Sequence, residues 1–183
     1  KRCHGVTVSA LAILLAIAAP RAAAVTRWFA LVDTGELFVS SDQGAIWGVH
    51  ATLPVRDAVA MAAGTTSHDF YLACRSGDLY RSSDDGISWN GVGALPASDV
   101  VDLLVQDDLS LLVLSGTGSL FRSIDQGAHF APVVNIAASD CVALTRAAPT
   151  GPHYVLTRTG TVYGSVDGGA TWSLVGTFPV PDA

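Results

Sequence analysis

The chain has 183 residues, half of them hydrophobic, with 18 glycines and a formal net charge of −6. That is enough apolar material for one ordinary domain with a substantial core, and glycines so regularly placed indicate tight turns rather than disorder. Nothing resembles the basic patch that DNA or RNA binding requires, so nucleic acid is excluded as an expected partner.

Residues 1–24 read differently from the rest. Lys1 and Arg2 form a positive start, residues 6–19 form an apolar run, Pro20 breaks it, and Ala22, Ala23 and Ala24 supply small residues for a peptidase. This pattern predicts a helical export signal cleaved after Ala24, since the run is short for a spanning helix. The expected location is therefore secreted or periplasmic, with no membrane association after cleavage. Residues 1–24 hold three basic residues and no acidic one, so residues 25–183 carry 7 Lys+Arg against 16 Asp+Glu, a net charge of −9. Such a surface favours solubility and disfavours polyanionic ligands. Cleavage also removes Cys3; Cys74 and Cys141 lie in non-adjacent repeats and are read as separate buried thiols.

From Arg27 onward, short apolar runs alternate with turn signals at about four runs per repeat, the spacing of a β-propeller built from four-stranded antiparallel blades. The repeats fall at residues 25–54, 55–96, 97–137 and 138–179. In the second, strands are predicted over residues 58–62, 70–74, 78–82 and 89–95. The third predicts 100–106, 109–114, 119–123 and 130–136, and the fourth 141–146, 153–157, 161–165 and 172–178. Fifteen strands are expected, three in the first repeat and four in each of the others. The third strands carry adjacent apolar pairs, Leu37-Phe38, Leu79-Tyr80, Leu120-Phe121 and Val162-Tyr163. Strands packed on both faces need such pairs.

Two aspartate series mark the register. Asp42, Asp84, Asp125 and Asp167 are 42, 41 and 42 residues apart, and Asp57, Asp99 and Asp140 repeat at 42 and 41. Periods of this size signify one supersecondary unit per repeat. A further step of 42 from Asp140 reaches Asp182, where a fifth repeat is expected to begin. The chain is thus read as the N-terminal part of a longer propeller, the rival being a four-bladed ring short of one strand.

The first series sits in a shared motif: Ser40-x-Asp42-x-Gly44-x-x-Trp47, Ser82-x-Asp84-x-Gly86-x-Ser88-Trp89, Ser123-x-Asp125-x-Gly127-x-His129-Phe130 and Ser165-x-Asp167-x-Gly169-x-Thr171-Trp172. A short Asp side chain can accept backbone N–H groups a few residues on. Gly two residues later permits a positive φ, and the aromatic returns to the blade and buries apolar surface. Every position has a structural task. The first and third copies have Ile46 and His129 where Ser or Thr is usual, so those turns are expected to be less tightly bonded.

These four copies resemble Asp-box, or bacterial neuraminidase (BNR), repeats of the sialidase-like superfamily, and the resemblance covers essentially all of residues 27–178. It implies that the boxes are structural clasps, and that function lies on the opposite face, with the second-to-third-strand turns and the connections between blades. That face would hold Asp33, Glu36, Arg56, Arg75, Asp78 and Arg158 as binding candidates. Asp57, Asp99 and Asp140 could act as a carboxylate ring on a cation or glycoside, against the plainer reading in which each caps a loop. Sialidases of the superfamily use three arginines, a Tyr activated by Glu, and an Asp acid. This chain has a single glutamate, Glu36, and no Arg-Ile-Pro segment at the start of the array. Relatives resembling xyloglucan hydrolases use two aspartates, for which Asp57 and Asp99 are the matching pair.

His50, His68, His129 and His153 have no metal-ligand spacing and are read as turn or surface residues; no metal or cofactor is expected. Phosphate-cradling loops, nucleophile elbows and Cys-x-x-Cys are absent from the sequence. The expectation is an exported, non-catalytic scaffold that presents its rim to a protein or carbohydrate partner. The alternative is part of a glycoside hydrolase completed beyond Ala183.

Overall fold

The computed structural model describes residues 13–17, 27–32, 34–64, 66, 68–148 and 151–180. They form sixteen strands in four antiparallel sheets of four, each sheet built from strands consecutive in the chain. Blade 1 contains β1 (Ile13–Ile17), β2 (Arg27–Leu31), β3 (Glu36–Ser40) and β4 (Gly48–Thr52). Blade 2 contains β5 (Ala58–Ala63), β6 (Phe70–Cys74), β7 (Asp78–Ser82) and β8 (Asn90–Ala94). Blade 3 contains β9 (Val100–Val105), β10 (Leu111–Ser115), β11 (Ser119–Ser123) and β12 (Ala131–Asn135). Blade 4 contains β13 (Cys141–Arg146), β14 (His153–Thr157), β15 (Thr161–Ser165) and β16 (Ser173–Thr177). The first strands of adjacent blades lie side by side, which places them innermost.

The strand count corrects the sequence expectation of fifteen. The additional strand, β1, lies inside the apolar run read as an export signal, and it is extended rather than helical, pairing antiparallel with β2 from Ile13↔Leu31 to Ile17↔Arg27. Without it, β2 would present a free edge of backbone N–H and C=O groups, and an aliphatic run can satisfy that edge as readily as it can coil. The rest of the predicted signal and Asp182 lie outside the described residues. Elsewhere the predicted strands appear within two residues of their expected ends. The aromatics Trp89, Phe130 and Trp172 fall just before the fourth strands rather than in them.

Three hydrophobic clusters fill the spaces between successive blades. Phe29, Leu31 and Leu37 meet Phe70 and Leu72 between blades 1 and 2. Tyr71, Ala73 and Leu79 meet Leu111 and Val113 between blades 2 and 3. Leu112, Leu114 and Leu120 meet Leu144 and Val155 between blades 3 and 4. Burial follows directly from neighbours. The second strands of blades 2 and 3 are buried at every residue, whereas β14 alternates buried and half-buried positions. The half-buried positions of β14 are Tyr154 and Leu156, apolar like their counterparts in β6 and β10, and they lie on the face that no described blade covers.

The repeated turn locks each seam between blades. The positive φ of Gly86, Gly127 and Gly169 is one reason for glycine there; close packing is the other. A Cβ on Gly86 would lie 2.8 Å from Leu37 Cδ2, one on Gly169 would lie 3.4 Å from Leu120 Cδ2, and one on Gly127 would overlap Leu79 Cδ2. Leu37, Leu79 and Leu120 occupy the same third-strand position in the preceding blades and are fully buried. Gly44 has no such neighbour among the described residues, and its Cβ would meet only the Trp47 ring.

Candidate functional site

The two aspartate series close opposite ends of blades 2, 3 and 4, and the first series also serves blade 1. At one end, the first series ties the turn between third and fourth strands. Asp84 Oδ1 accepts the Ser82 hydroxyl at 2.8 Å and the Ser88 N–H at 2.9 Å, and Oδ2 accepts the Ser88 hydroxyl at 2.5 Å. Asp167 repeats the arrangement with Ser165 and Thr171. The Trp89 and Trp172 indoles donate to the carbonyls of Gly86 and Gly169, each at 2.9 Å. Hydrogen bonds from Ser88 and Ser82 hold the Asp84 carboxyl at about 2. Those from Thr171 and Ser165 hold Asp167 there too.

The two turns expected to be looser each lack one bond that the Asp84 turn makes, the first a side-chain donor at residue 46 and the third the indole donor that Phe130 cannot supply. Ile46 offers Asp42 its backbone N–H at 2.9 Å but no side-chain donor. In the third, the His129 ring replaces the missing hydroxyl, its Nδ1 lying 2.7 Å from Asp125 Oδ2. The His129 N–H and ring, with Ser123, hold Asp125 at about 2 as well.

At the other end, the second series ties the turn between second and third strands. Asp57 Oδ2 accepts the Ser76 N–H at 2.6 Å, Asp99 Oδ2 that of Thr117 at 3.1 Å, and Asp140 Oδ2 that of Thr159 at 3.0 Å. Their own carbonyls accept the N–H of residues 75, 116 and 158 at 2.8 to 2.9 Å. The aspartates therefore clasp the turn beside their own strand, using one carboxylate oxygen apiece.

A concavity of about 500 Å³ opens at this end across blades 2, 3 and 4. Its lining includes Val59, Val101 and Cys141 together with Arg75, Arg158, Asp99 and Asp140. The opening has a specific cause. Each second-to-third-strand turn begins with residue 75, 116 or 158, and these are Arg, Gly and Arg. Gly116 does not have a positive φ, and a Cβ there would make only ordinary contacts, the nearest 3.5 Å from Val101. Neither strain nor crowding requires glycine, so the effect of Gly116 is to leave room between two arginines.

Of the predicted site residues, Arg75, Asp99, Asp140 and Arg158 share this concavity. Arg56, Asp57 and Asp78 stand outside its lining, and Asp33 lies outside the described residues. Glu36 accepts a hydrogen bond from the Thr34 hydroxyl at 2.9 Å, and Asp78 one from the Ser76 hydroxyl at 2.9 Å; both are spent on their own turns. Among the described residues, no group of His, Cys, Asp and Glu could hold a metal ion. Cys74 and Cys141 are both buried and unpaired. Burial, followed by the negative field of Asp57 and Asp78, pushes the Cys74 thiol up to about 12, which makes it a poor nucleophile.

Sequence reading missed the polar groups that bridge blades. In the turns, residues 85, 126 and 168 directly follow the aspartate, all with positive φ, and each receives a donor from the preceding blade. Arg27 reaches Asp85 at 2.6 Å, Arg81 reaches Gln126 at 2.5 Å, and Gln106 reaches the Gly168 carbonyl at 3.0 Å. Also missed was Asp102, whose Oδ2 accepts the N–H of Leu144 in blade 4 at 2.7 Å. Its carboxyl is raised by burial. His153, expected at a turn or surface, is a buried strand residue. Aligning the repeats could have exposed it, because His153, Phe70 and Leu111 open their second strands in equivalent register.

This arrangement is that of a β-propeller, and solved structures agree. The chain aligns with YCF48 from Cyanidioschyzon merolae at a TM-score of 0.63 and 10% identity, over 97% of this chain and 59% of that one. It aligns with YCF48 bound to D1 peptide at 0.62 and 16%, over 81% and 50%. With the GH74 xyloglucanase from Xanthomonas campestris the values are 0.64 and 22%, over 84% and 29%. At these identities the likeness establishes the fold. The chain spans about half the length of the first two. No protein-family model matches the sequence, and no curated protein does either.

Proposed function

We propose that this chain is an Asp-box propeller acting as a non-catalytic scaffold, holding an extended protein segment in the concavity between Arg75 and Arg158. The carrying observation is the gap at Gly116. Two exposed arginines flank a turn whose first position, Gly116, has no side chain, in a concavity also lined by Val59 and Val101. That combination suits a peptide offering a carboxylate and a small apolar group. The second oxygens of Asp99 and Asp140 can accept backbone N–H groups from the same ligand. The fold relative YCF48 is described in complex with a D1 peptide, which supports a peptide as the class of ligand.

A second reading rests on Asp99 and Asp140 facing one concavity, an arrangement a glycoside hydrolase could use. The experiment is capture from a displayed peptide library and a glycan array by the full chain, with sialoside and xyloglucan turnover measured alongside. Peptides should be captured, and Arg75→Ala or Arg158→Ala should each weaken them about tenfold. Capture of glycans alone would replace the protein partner with carbohydrate. Turnover lost in Asp99→Asn would establish the hydrolase.

A further inference from the structure

The seam between blades 3 and 4 differs from the other two at one point. The residue that opens β14 is His153, paired with Ser165, and only 5% of its surface is exposed. Its counterparts Phe70 and Leu111 are fully buried apolar residues. The seam here is polar, and its hydrogen bonds fix their own directions.

The Gln106 amide can adopt only one orientation. Its Nε2 lies 3.0 Å from the Gly168 carbonyl, and its Oε1 lies 2.6 Å from the Ser110 hydroxyl, which is shared with Asp108 Oδ1 at 2.6 Å. A carbonyl only accepts, so the nitrogen must face it. The same nitrogen lies 3.2 Å from His153 Nε2, and its second hydrogen needs a lone pair there. His153 is therefore neutral, with its proton on Nδ1, and that buried Nδ1 has no hydrogen-bond partner.

We propose that this triad is a proton-sensitive latch: protonation of His153 at Nε2 breaks the bridge that Gln106 makes between blade 3 and the 165–172 turn of blade 4. The added proton sets two donors against each other, and both ring N–H groups then lack acceptors. Gln106 must release either His153 or the Gly168 carbonyl. Water can deliver the proton through a cavity of about 330 Å³ lined by His153, Gln106, Arg122, Arg146 and Gly168.

The surrounding charges set the direction. Arg146 on β13 and Arg122 on β11 oppose a cationic ring; Asp107 and Asp108 on the β9–β10 turn and Asp167 on the β15–β16 turn favour it. Arg146 lies 3.1 Å from Asp107, and Arg122 lies 2.5 Å from Asp108, so each arginine is partly offset. Burial first, then Arg146 and Arg122, lowers His153 below its ordinary value, with Asp107 and Asp167 working against them. A lowered histidine stabilises the fold fully above its ordinary value of 6.5. That stabilisation is lost as pH falls from there through the lowered value.

The test is amide exchange followed by NMR on the full chain. The Gly169 and Thr171 N–H groups, bonded to Ser165 and Asp167, report on the latched turn. Those of Gly86 and Ser88, bonded to Ser82 and Asp84, are the internal control in blade 2. Between about pH 7.5 and about pH 5, protection at the first pair should fall at least about threefold more than at the second. In His153→Leu, which copies the apolar residue of blade 3 at Leu111, the difference should vanish. Equal loss at both turns in the native chain, or a difference that survives His153→Leu, would overturn the latch. Should that variant not fold, ring nitrogen shifts of the native chain decide: Nδ1–H at neutral pH supports the proposal, and Nε2–H sinks it.

Discussion

Blades 2, 3 and 4 are each closed at both ends by an aspartate on the same period, yet the two ends are built to different tolerances. At the Asp84 end the carboxylate engages both oxygens, and the glycine two residues on is pressed against the neighbouring blade. At the Asp99 end one oxygen holds a single turn N–H, and Gly116 meets its neighbours without crowding. A residue repeated at a fixed interval reveals architecture. Only the number of partners it already has reveals whether it is free to meet a ligand.

That contrast can be broken by substitution. Gly127→Ala should be the most damaging change, because a Cβ would combine an unfavourable φ with overlap of Leu79; a loss of about 3 kcal/mol or failure to fold is expected. Gly44→Ala, with a similar φ but open surroundings, should cost about 1 kcal/mol. Chemical denaturation of both would show whether packing or φ dominates; equal losses would refute the role given to Leu79.

Asp84→Ala should lower the denaturation midpoint more than Asp99→Ala, whose single lost hydrogen bond should cost about 1 kcal/mol. The reverse order would contradict the partner counts. Acid titration should test the Asp84 end as well. The carboxyls at Asp84, Asp125 and Asp167 lie at about 2. Folded values depressed below the ordinary 3.8 stabilise above that value, and the benefit disappears as pH falls towards 2. Carboxyl NMR shifts that remain constant down to pH 3 at these three positions would bear this out. The smallest effect is expected from Ile46→Thr, which gives Asp42 the side-chain donor it lacks. A slight rise in midpoint and a further lowering of the Asp42 carboxyl should follow.

Period, turn chemistry and strand positions were legible because they are local. A Ser-x-Asp-x-Gly turn is bonded within itself, and any copy can be understood without the others. The seams were not legible, since the reason Gly127 must be glycine sits 48 residues earlier, at Leu79. The rim was half legible. Position alone nominated Arg75 and Arg158, but the cavity between them comes from what Gly116 lacks. β1 was hidden for another reason: an aliphatic run obeys both the pattern of an export signal and that of an innermost strand. His153 escaped because a histidine without ligand spacing looked ordinary until its register partners were known.

The three hydrophobic clusters each join one blade to the next, and this has a consequence for how the molecule comes apart. Stability in such a stack behaves as a chain of nearest-neighbour couplings rather than one global transition. Among the described residues, blades 2 and 3 are each coupled on both faces. Their second strands β6 and β10 should therefore be among the slowest to give up their amide hydrogens.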